Sequence, residues 1–273
     1  MSKLMTLKDA ISMIKDGDTV GFGGNVLHRA PMAAVREIVR QEKKNLKVIK
    51  TAGAMDVDLL CFGECAYSVD AGFISYETEY SLAGHYRKAV QSGVVKGNEH
   101  ACYTVISALR AASYGIPYMP VRGLQISDLV AANDYFATVQ DPFSGEFINV
   151  VQAINPDVAI MHVQEADCNG NAIIYGPKYD DVLFSRASKK VILTAEKIVP
   201  ASKFVYSPEK ADIPHFLVDA VVQVKNGASP CSCSGNYDID RKELDWFKGL
   251  KTKEELKEYL KKKEHMDYDG KKY

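Results

Sequence analysis

The most informative stretch of this sequence is the glycine-rich segment DGDTVGFGGNVLHRAP at residues 16–31. The pattern is typical of a strand that ends in a tight turn and runs directly into a helix. Backbone N–H groups at such a junction form a concavity that suits an anion. Val26 stands where the dinucleotide fingerprint has its third glycine, and no Gly-Lys-Ser/Thr follows. The alternative is a turn whose glycines are needed only for a positive φ.

Polar residues follow the predicted carboxyl ends of two strands. His28 and Arg29 come after the glycine turn, where the planar guanidinium of Arg29 suits a substrate carboxylate. Glu77, Glu79 and Tyr80 follow the strand GFISY, at the end where open α/β sheets place ligands. We therefore predict that all five bind substrate, and the alternatives are a surface loop for the first pair and a solvated turn for the second group.

Composition excludes several classes of protein. The chain has 273 residues, a formal net charge of −1 and 47% hydrophobic residues. It can therefore bury a full core, as one large domain or as two closely merged halves. A balanced charge gives no electrostatic footprint for nucleic acid, and no apolar run is long enough for a membrane span. The N-terminus predicts an amphipathic helix rather than a signal peptide, so a cytoplasmic location is expected.

The six cysteines do not follow a metal-binding pattern. Cys61 and Cys65 flank a short FGE segment, and Cys231 and Cys233 form a C-x-C, but neither pair is matched by a second pair at zinc-site spacing. Disulfides are disfavoured without a secretory signal. We expect reduced thiols and no metal, with Cys102 as a core residue.

Short apolar strands alternate with helical patterns. Pro31 stands near the first turn of one helix, and Gly93 and Gly115 close two others. Asn169-Gly170 is a hairpin signal. The predicted strands are TVGFG, LKVIKTAG, YSVDAGFISY, DVAIMHVQ, KKVILTAEKIVP and FLVDAVVQV. The pattern predicts an α/β fold with an open, mostly parallel sheet and flanking helices.

The segment from Arg241 onwards has a different character. Thr252 and Glu255 have the spacing of a capping box, and Leu256, Tyr259 and Leu260 share one helical face. Mixed lysines and glutamates weigh against a basic binding tail. We predict a charged helical extension over residues 241–273, lying as a solvated helix on a domain formed by residues 1–240.

Several ordered motifs resemble the A (alpha) subunits of family I CoA-transferases, from about Leu7 to about Asp240. The Arg29 in HRAP favours the glutaconate CoA-transferase-like branch over the short acetoacetate type. The similar segments are DGDTVGFGGNVLHRAP, PYMPVRGLQISDL, INPDVAIMHVQEADCNGNAIIYG, VILTAEKIVP, IPHFLVDAVVQV and GASPCSCSGNYDID. The resemblance implies the CoA-transferase fold.

The resemblance also implies a ping-pong reaction in which a glutamate carboxylate attacks an acyl-CoA and later carries CoA as a thioester. Coenzyme A is then a substrate, and no tightly bound cofactor is expected. Backbone amides of Gly23, Gly24 and Asn25 are the predicted donors to the oxyanion of each tetrahedral intermediate. In two-chain relatives the glutamate lies in a Glu-x-Gly turn of the B subunit, and no such turn occurs here. The expected partners are therefore a B subunit, an acyl-CoA and a small carboxylic acid.

Arg122, Ser127 and Asp128 occupy the segment that resembles the family's substrate-side loop, and we predict that they bind substrate. The alternative is an internal salt bridge between Arg122 and Asp128. The segments GPKYDD and SCSGNYD are predicted loops with structural roles.

Two other functions remain open. Some relatives are hydrolases that open a ring in a CoA-linked steroid fragment, using a glutamate of the A chain. The corresponding position here falls at Cys102, with Glu99 one turn earlier, and this mismatch counts against hydrolysis. A non-catalytic acyl-CoA or sugar-phosphate sensor is the third hypothesis, although no DNA-binding helix-turn-helix is evident.

Overall fold

The fold is taken from a computed structural model that describes residues 2–268. Met1 of the predicted domain and residues 269–273 of the predicted extension lie outside the described residues. The strands β1 to β11 are, in order, Thr19–Phe22, Leu46–Gly53, Ala66–Ile74, Lys96–Glu99, Tyr118–Pro120, Phe136–Gln140, Phe147–Gln152, Val158–Asp167, Ala172–Ile173, Lys190–Val199 and Ala220–Gln223.

The helices flank these strands. Helices α1 to α11 are, in order, Leu7–Ser12, Met32–Arg40, Met55–Phe62, Glu77–Tyr80, Gly84–Gln91, Cys102–Ser113, Leu129–Ala132, Asp181–Ala187, Ser202–Val205, Arg241–Gly249 and Lys253–Asp267. Gly93 and Gly115 lie at positive φ just after α5 and α6, as predicted for helix-closing residues.

The main sheet confirms the predicted fold class. Seven of its eight strands are parallel, in the order β11-β10-β8-β1-β2-β3-β4, and β9 pairs antiparallel with β8. The turn between β8 and β9 contains Asn169-Gly170, which confirms the predicted hairpin. We call the side on which the parallel strands end the carboxyl edge.

The sheet is buried on both faces, which explains why its strands read as continuous apolar runs. Val158 and Ile160 of β8 pack into a core with α1, α2, α3, α10 and α11. Ala159, Met161 and Val163 point to the other face and pack with α6 and α8. A single sheet therefore separates two cores.

A second, smaller sheet was not predicted. Strands β5, β7 and β6 pair antiparallel, in that order, beside α6. Burial does not alternate cleanly along these strands, so they lack the period-two pattern that predicts a half-buried strand. Within residues 2–268, none of the helices combines the length and apolar surface needed to cross a lipid bilayer.

The C-terminal extension is more than a solvated helix. The predicted capping box of Thr252 and Glu255 begins α11, and its Leu256, Tyr259 and Leu260 are buried, as predicted. The extension differs from a solvated helix because it takes part in a buried ion pair. Asp267, near the end of α11, accepts hydrogen bonds from Arg36 at 2.6 and 2.9 Å, and both side chains are about 1% exposed.

We expect Asp267→Asn to lower the free energy of unfolding by about 3–5 kcal/mol, because Arg36 would stay buried without a compensating anion. Urea denaturation measures this change as a lower midpoint at constant slope. Glu258→Gln is the matched control, since it removes an exposed pair with Lys262 and should change stability by less than about 1 kcal/mol. Equal effects of the two substitutions would contradict this view of α11.

Candidate active site at the carboxyl edge

The strand order places a crevice at one point of the carboxyl edge. From β1 the chain builds outward through β2, β3 and β4, and it then crosses to β8 on the other side of β1. Ligands of open α/β sheets bind where the strand order reverses in this way. A cavity of about 590 Å³ lies there, lined by His28, Arg29, Tyr175, Pro177, Tyr179, Ser232, Ser234, Gly235, Asn236, Tyr237 and Asp238.

The glycine turn beside this cavity has an unusual backbone. Asn25 and His28 exchange two backbone hydrogen bonds of 2.8 Å and close a tight turn. Val26 has a φ of 46° and Arg29 has a φ of 56°, values that non-glycine residues rarely adopt, least of all a β-branched one. Such strain persists only where neighbouring contacts hold it, and it concentrates at functional sites.

A buried ion pair supplies part of that support. The guanidinium of Arg29 donates to both oxygens of Asp181, at 2.9 and 3.0 Å, and Asp181 begins α8. It also donates to the carbonyls of His162 and Pro177, at 2.8 and 3.0 Å. The two side chains are 3% and 0% exposed. Arg29 therefore fastens the turn to α8 and β8 rather than standing free.

A second buried cation holds the turn from the other side. Lys50 of β2 is fully buried and lies 3.0 Å from Asp56 of α3. Its ammonium group also donates to the carbonyls of Gly23 and Gly24. Since a buried charge is costly unless it is paired and hydrogen-bonded, these contacts explain how this lysine fits in a buried part of the strand.

In the structure, glycine is required at positions 23 and 24 by contacts within the chain, whereas the prediction was the approach of a substrate. A Cβ on Gly23 would lie 2.4 Å from the Asp181 carboxylate, and one on Gly24 would lie 2.5 Å from the Arg29 backbone. The glycines therefore allow the chain to approach itself.

The amides predicted to stabilise an oxyanion are already occupied. The N–H of Gly23 donates to Ile160 O at 2.9 Å and that of Asn25 to His28 O at 2.8 Å. The N–H of Gly24 donates to Asp181 at 3.3 Å. All three N–H groups are therefore engaged within the chain, and their predicted role as oxyanion donors stays a prediction. The side-chain amide of Asn25 is half-buried and has no hydrogen-bond partner within residues 2–268.

His28 contributes to the cavity through a fixed ring. Its Nδ1 lies 2.7 Å from the hydroxyl of Ser232, and the backbones of the two residues pair as a parallel bridge. The lining also contains Tyr175 and Tyr179, and the centroid of the Tyr179 ring lies 5.8 Å from the Arg29 guanidinium carbon. The cavity thus offers imidazole, hydroxyl and phenol groups to a polar ligand.

A hydrogen-bonded network lies behind Tyr237. Burial opposes ionisation of Glu196, but hydrogen bonds from His162 at 2.8 Å and Tyr237 at 2.6 Å, with others, outweigh it and hold its pKa below the usual range. Burial and the charge of Glu196 raise the pKa of the nearby Cys233 thiol to about 11. The network therefore keeps a carboxylate ionised beside a neutral thiol.

Three residues of this network are close enough together to hold a metal ion between them. Ligand atoms of His162, Glu196 and Cys233 lie within 4.8 Å of one another. The carboxylate of Glu196 also accepts the N–H groups of Asn226 and Gly227, at 2.8 and 3.1 Å. Three donors therefore share its Oε1 and one uses its Oε2, so the carboxylate is already held by groups of the protein. The arrangement fits a hydrogen-bonded support for the cavity wall better than a metal centre.

Glu77, Glu79 and Tyr80 form α4 at the carboxyl end of β3, as their position in the sequence predicted, but they do not line the cavity. Glu79 forms an exposed ion pair of 2.7 Å with Arg241 of α10, and Glu77 has no ion-pair partner in the described part of the chain. Their predicted role in substrate binding stays a prediction.

Arg122, Ser127 and Asp128 lie between β5 and α7 and are also outside the cavity lining. Arg122 approaches Glu146 at 3.9 Å, with both side chains exposed, rather than the Asp128 of the alternative interpretation. These three residues therefore remain predicted substrate contacts on a separate part of the chain.

Sequence reasoning missed much of the cavity. Tyr179 of the lining and Asp181, the ion-pair partner of Arg29, come from the segment GPKYDD, and the stretch from Ser232 to Asp238 comes from the segment SCSGNYD. The sequence predicts only structural roles for these two loops. Lys50 and His162 could have indicated this region from the sequence, because charged or polar residues inside buried strands need partners.

The chain is similar to known proteins along most of its length. A model of the Coenzyme A transferase family matches residues 4–224. A protein of unassigned function from Archaeoglobus fulgidus is 35% identical over 95% of the chain, which spans 59% of that protein. The A subunit of glutaconate CoA-transferase from Acidaminococcus fermentans is 32% identical, with 98% of this chain and 91% of that protein covered.

Another relative is the cholesterol ring-cleaving hydrolase IpdA subunit of Rhodococcus jostii, 30% identical over 88% of this chain and 84% of that protein. The crystal structure of the Acidaminococcus fermentans glutaconate coenzyme A-transferase superposes with a TM-score of 0.90 at 32% identity, covering 96% of this chain and 88% of that one. The decarboxylase AibA/AibB gives 0.86 at 31% identity, covering 96% and 98%.

The steric account of the glycine turn predicts different effects at two glycines with positive φ. Gly17→Ala should cost about 1–2 kcal/mol, since its Cβ would meet no atom within 4 Å and only the backbone conformation is strained. Gly24→Ala should cost clearly more, because its Cβ also overlaps the Arg29 backbone. Chemical denaturation of both variants measures the difference, and similar losses would show that the contact with Arg29 is unimportant.

Proposed function

This chain belongs to the Coenzyme A transferase family, and from that premise we propose that it is the A subunit of a two-chain enzyme. The enzyme would move CoA between an acyl-CoA and a free carboxylic acid. The cavity at the carboxyl edge would hold the acyl group, with polar side chains such as His28 and Tyr179 around it.

The observation that carries the proposal is the absence of a glutamate from the described lining of the cavity. Glu196 lies behind the wall and is engaged by His162 and Tyr237. Asp238 is the sole carboxylate in that lining. A reaction that uses a glutamate nucleophile would therefore need a second chain to deliver it, as in the two-chain relatives.

In the proposed reaction CoA passes first from the acyl group to a glutamate and then to a second acid, so that each transfer ends in a thioester. The partner's glutamate carboxylate attacks the thioester carbonyl, forming a mixed anhydride and releasing CoA thiolate. The thiolate attacks the glutamyl carbonyl of the anhydride, forming an enzyme-bound thioester and releasing the first acid. A second carboxylic acid then attacks the enzyme-bound thioester through its carboxylate. The two steps run in reverse and give the new acyl-CoA and the free glutamate.

Each tetrahedral intermediate needs a hydrogen-bond donor at its oxyanion. Because the amides of Gly23, Gly24 and Asn25 are occupied, the side-chain amide of Asn25 is the donor that this turn can still offer. Its position on a turn held by two buried ion pairs suits a preorganised donor, which acts without rearranging during the reaction.

Two similar relatives suggest substrates to test first. Glutaconate and 3-oxoadipate, which give two related A subunits their names, are both dicarboxylic acids. The cavity volume of about 590 Å³ accommodates an acyl chain of that size. We propose a small dicarboxylic acid as the acyl acceptor, with 3-oxoacids and short fatty acids as the comparison set.

A CoA-thioester hydrolase of the same fold is the alternative. Cys102 begins α6 and Glu99 ends β4, so both lie at the carboxyl edge where a catalytic group of such an enzyme would be expected. Burial raises the pKa of the Cys102 thiol, which keeps it protonated and lowers its value as a nucleophile. Transfer therefore explains this site better than hydrolysis.

The first test combines this chain with a co-expressed second chain and isotopically labelled acyl-CoA. We expect label to move to a free acid only when both chains are present, and mass spectrometry should find a CoA thioester on a glutamate of the second chain. Glu77→Gln, Glu99→Gln and Asp238→Asn should leave the adduct in place. Net loss of thioester without transfer would favour hydrolysis, and an adduct on this chain would contradict the proposal.

The second test concerns the oxyanion donor. Asn25→Ala should lower kcat by about 10²–10³-fold, the usual effect of removing one such donor, while leaving the unfolding midpoint nearly unchanged. Asn155→Ala is the matched control, because Asn155 is an exposed asparagine just before β8, at the opposite edge of the sheet. A kcat equal to that of the control would exclude the Asn25 side chain as the donor.

A further inference from the structure

A second cavity lies away from the carboxyl-edge site and shares no lining residue with it. Its volume is about 500 Å³, and it is bounded by α3, α5 and the segment that joins α10 to α11. It is lined by Asp58, Cys61, Phe62, Glu64, Leu82, Gly84, His85, Lys88, Ala89, Ser92, Val94, Lys248, Leu250, Lys251 and Lys253. The C-terminal extension therefore forms one wall.

Four lysines line this cavity, and two of them are unpaired. Lys253 lies 2.9 Å from Glu64, and Lys248 donates to a backbone carbonyl. Lys88 and Lys251 are exposed, and neither has a hydrogen-bond or ion-pair partner for its ammonium group in the described structure. The cavity thus has two free ammonium groups, one from α5 and one from the extension.

The carboxylates of the lining do not balance these charges. Glu64 is committed to Lys253. Asp58 is buried and accepts hydrogen bonds from Tyr76 at 2.9 Å and from the Tyr86 N–H at 2.7 Å. Burial raises the pKa of Asp58 to about 6. Even with both carboxylates ionised, the lining has four lysines against two carboxylates. The cavity is therefore net positive.

An aromatic wall stands beside the lysines. The rings of Phe62 and His85 stack with centroids 3.8 Å apart and an angle of 9° between their planes. Burial, together with the charges of Lys251 and Lys88, lowers the pKa of His85 to about 4, so its ring is neutral at pH 7. Leu82 and Leu250 add apolar surface. A neutral aromatic and apolar wall suits a planar base.

From this combination we propose that the second cavity binds an adenine nucleotide with two or more phosphates, its base on the Phe62–His85 wall and its phosphates between Lys88 and Lys251. The lysines supply point charges for phosphate oxygens, and the half-buried His85 ring, which stacks on the buried Phe62, supplies a surface for the purine. This chemistry has two possible sources. One is the nucleotide end of a CoA substrate, which rests on the proposed function, and the other is a free nucleotide that regulates the chain.

Calorimetric titration of the purified full chain with CoA, with adenosine 3′,5′-bisphosphate and with ADP tests the proposal directly. We expect saturable binding of at least one of them, and much weaker binding of adenosine, which has no phosphate. The double variant Lys88→Glu/Lys251→Glu should raise Kd by at least about tenfold, as expected for the loss of charge-assisted contacts. Lys190→Glu/Lys210→Glu makes the same change of charge at two exposed lysines outside the cavity lining and should leave Kd unchanged.

The complex with the second chain distinguishes the two sources. A higher KM for acyl-CoA with unchanged kcat in the cavity variant assigns the cavity to the nucleotide end of the substrate. Loss of ADP binding with unchanged KM assigns it to a free nucleotide. Absence of binding by all three ligands at millimolar concentration, or equal Kd values for the two double variants, overturns the proposal. Because binding to the single chain needs no transfer activity, failure here is distinct from failure of the proposed function.

Discussion

The bidentate ion pair between Arg29 and Asp181 joins the two halves of the main sheet where the strand order reverses. Arg29 belongs to the turn after β1, and Asp181 begins the helix that follows β8 and β9. Because both side chains are buried, loss of either would leave an uncompensated charge, which typically costs about 3–5 kcal/mol. The pair therefore fixes the distance between the turn and the helix, and with it the width of the cavity beside them.

The same pair explains the strained backbone around the cavity. Val26, Arg29 and Tyr179 all have positive φ, and each lies within a few residues of the ion pair. Lys50 holds the carbonyls of the turn from the opposite side. A turn constrained on both sides keeps its own amides engaged, so it acts as a rigid frame rather than as a set of free donors. Under the proposed function, this frame would position the substrate while another chain supplies the nucleophile.

The C-terminal extension is connected by hydrogen bonds to the same cavity wall. Arg36 of α2 donates to Asp267 of α11 and, at 2.7 Å, to the carbonyl of Ser229. Ser229 leads into the loop whose Ser232 pairs with the backbone of Arg29 at 2.7 Å. The last helix is thus connected to the cavity wall through one buried arginine. It also supplies lysines to the second cavity, so a segment that looks like a solvated tail contributes to two surfaces.

The sequence by itself determined the order and type of the main elements. Apolar runs, helix-closing glycines and the Asn169-Gly170 turn are local signals, and the strands, helices and hairpin that they predict are present. The small sheet was not predicted because burial does not alternate along its strands. The sequence predicted the turn at Gly23 and Gly24 but not the steric purpose of its glycines, since the atoms that demand glycine belong to Asp181 and to the Arg29 backbone. Only the tertiary structure decided that purpose, because Arg29 and Asp181 lie far apart in the chain and burial alone makes their pairing obligatory.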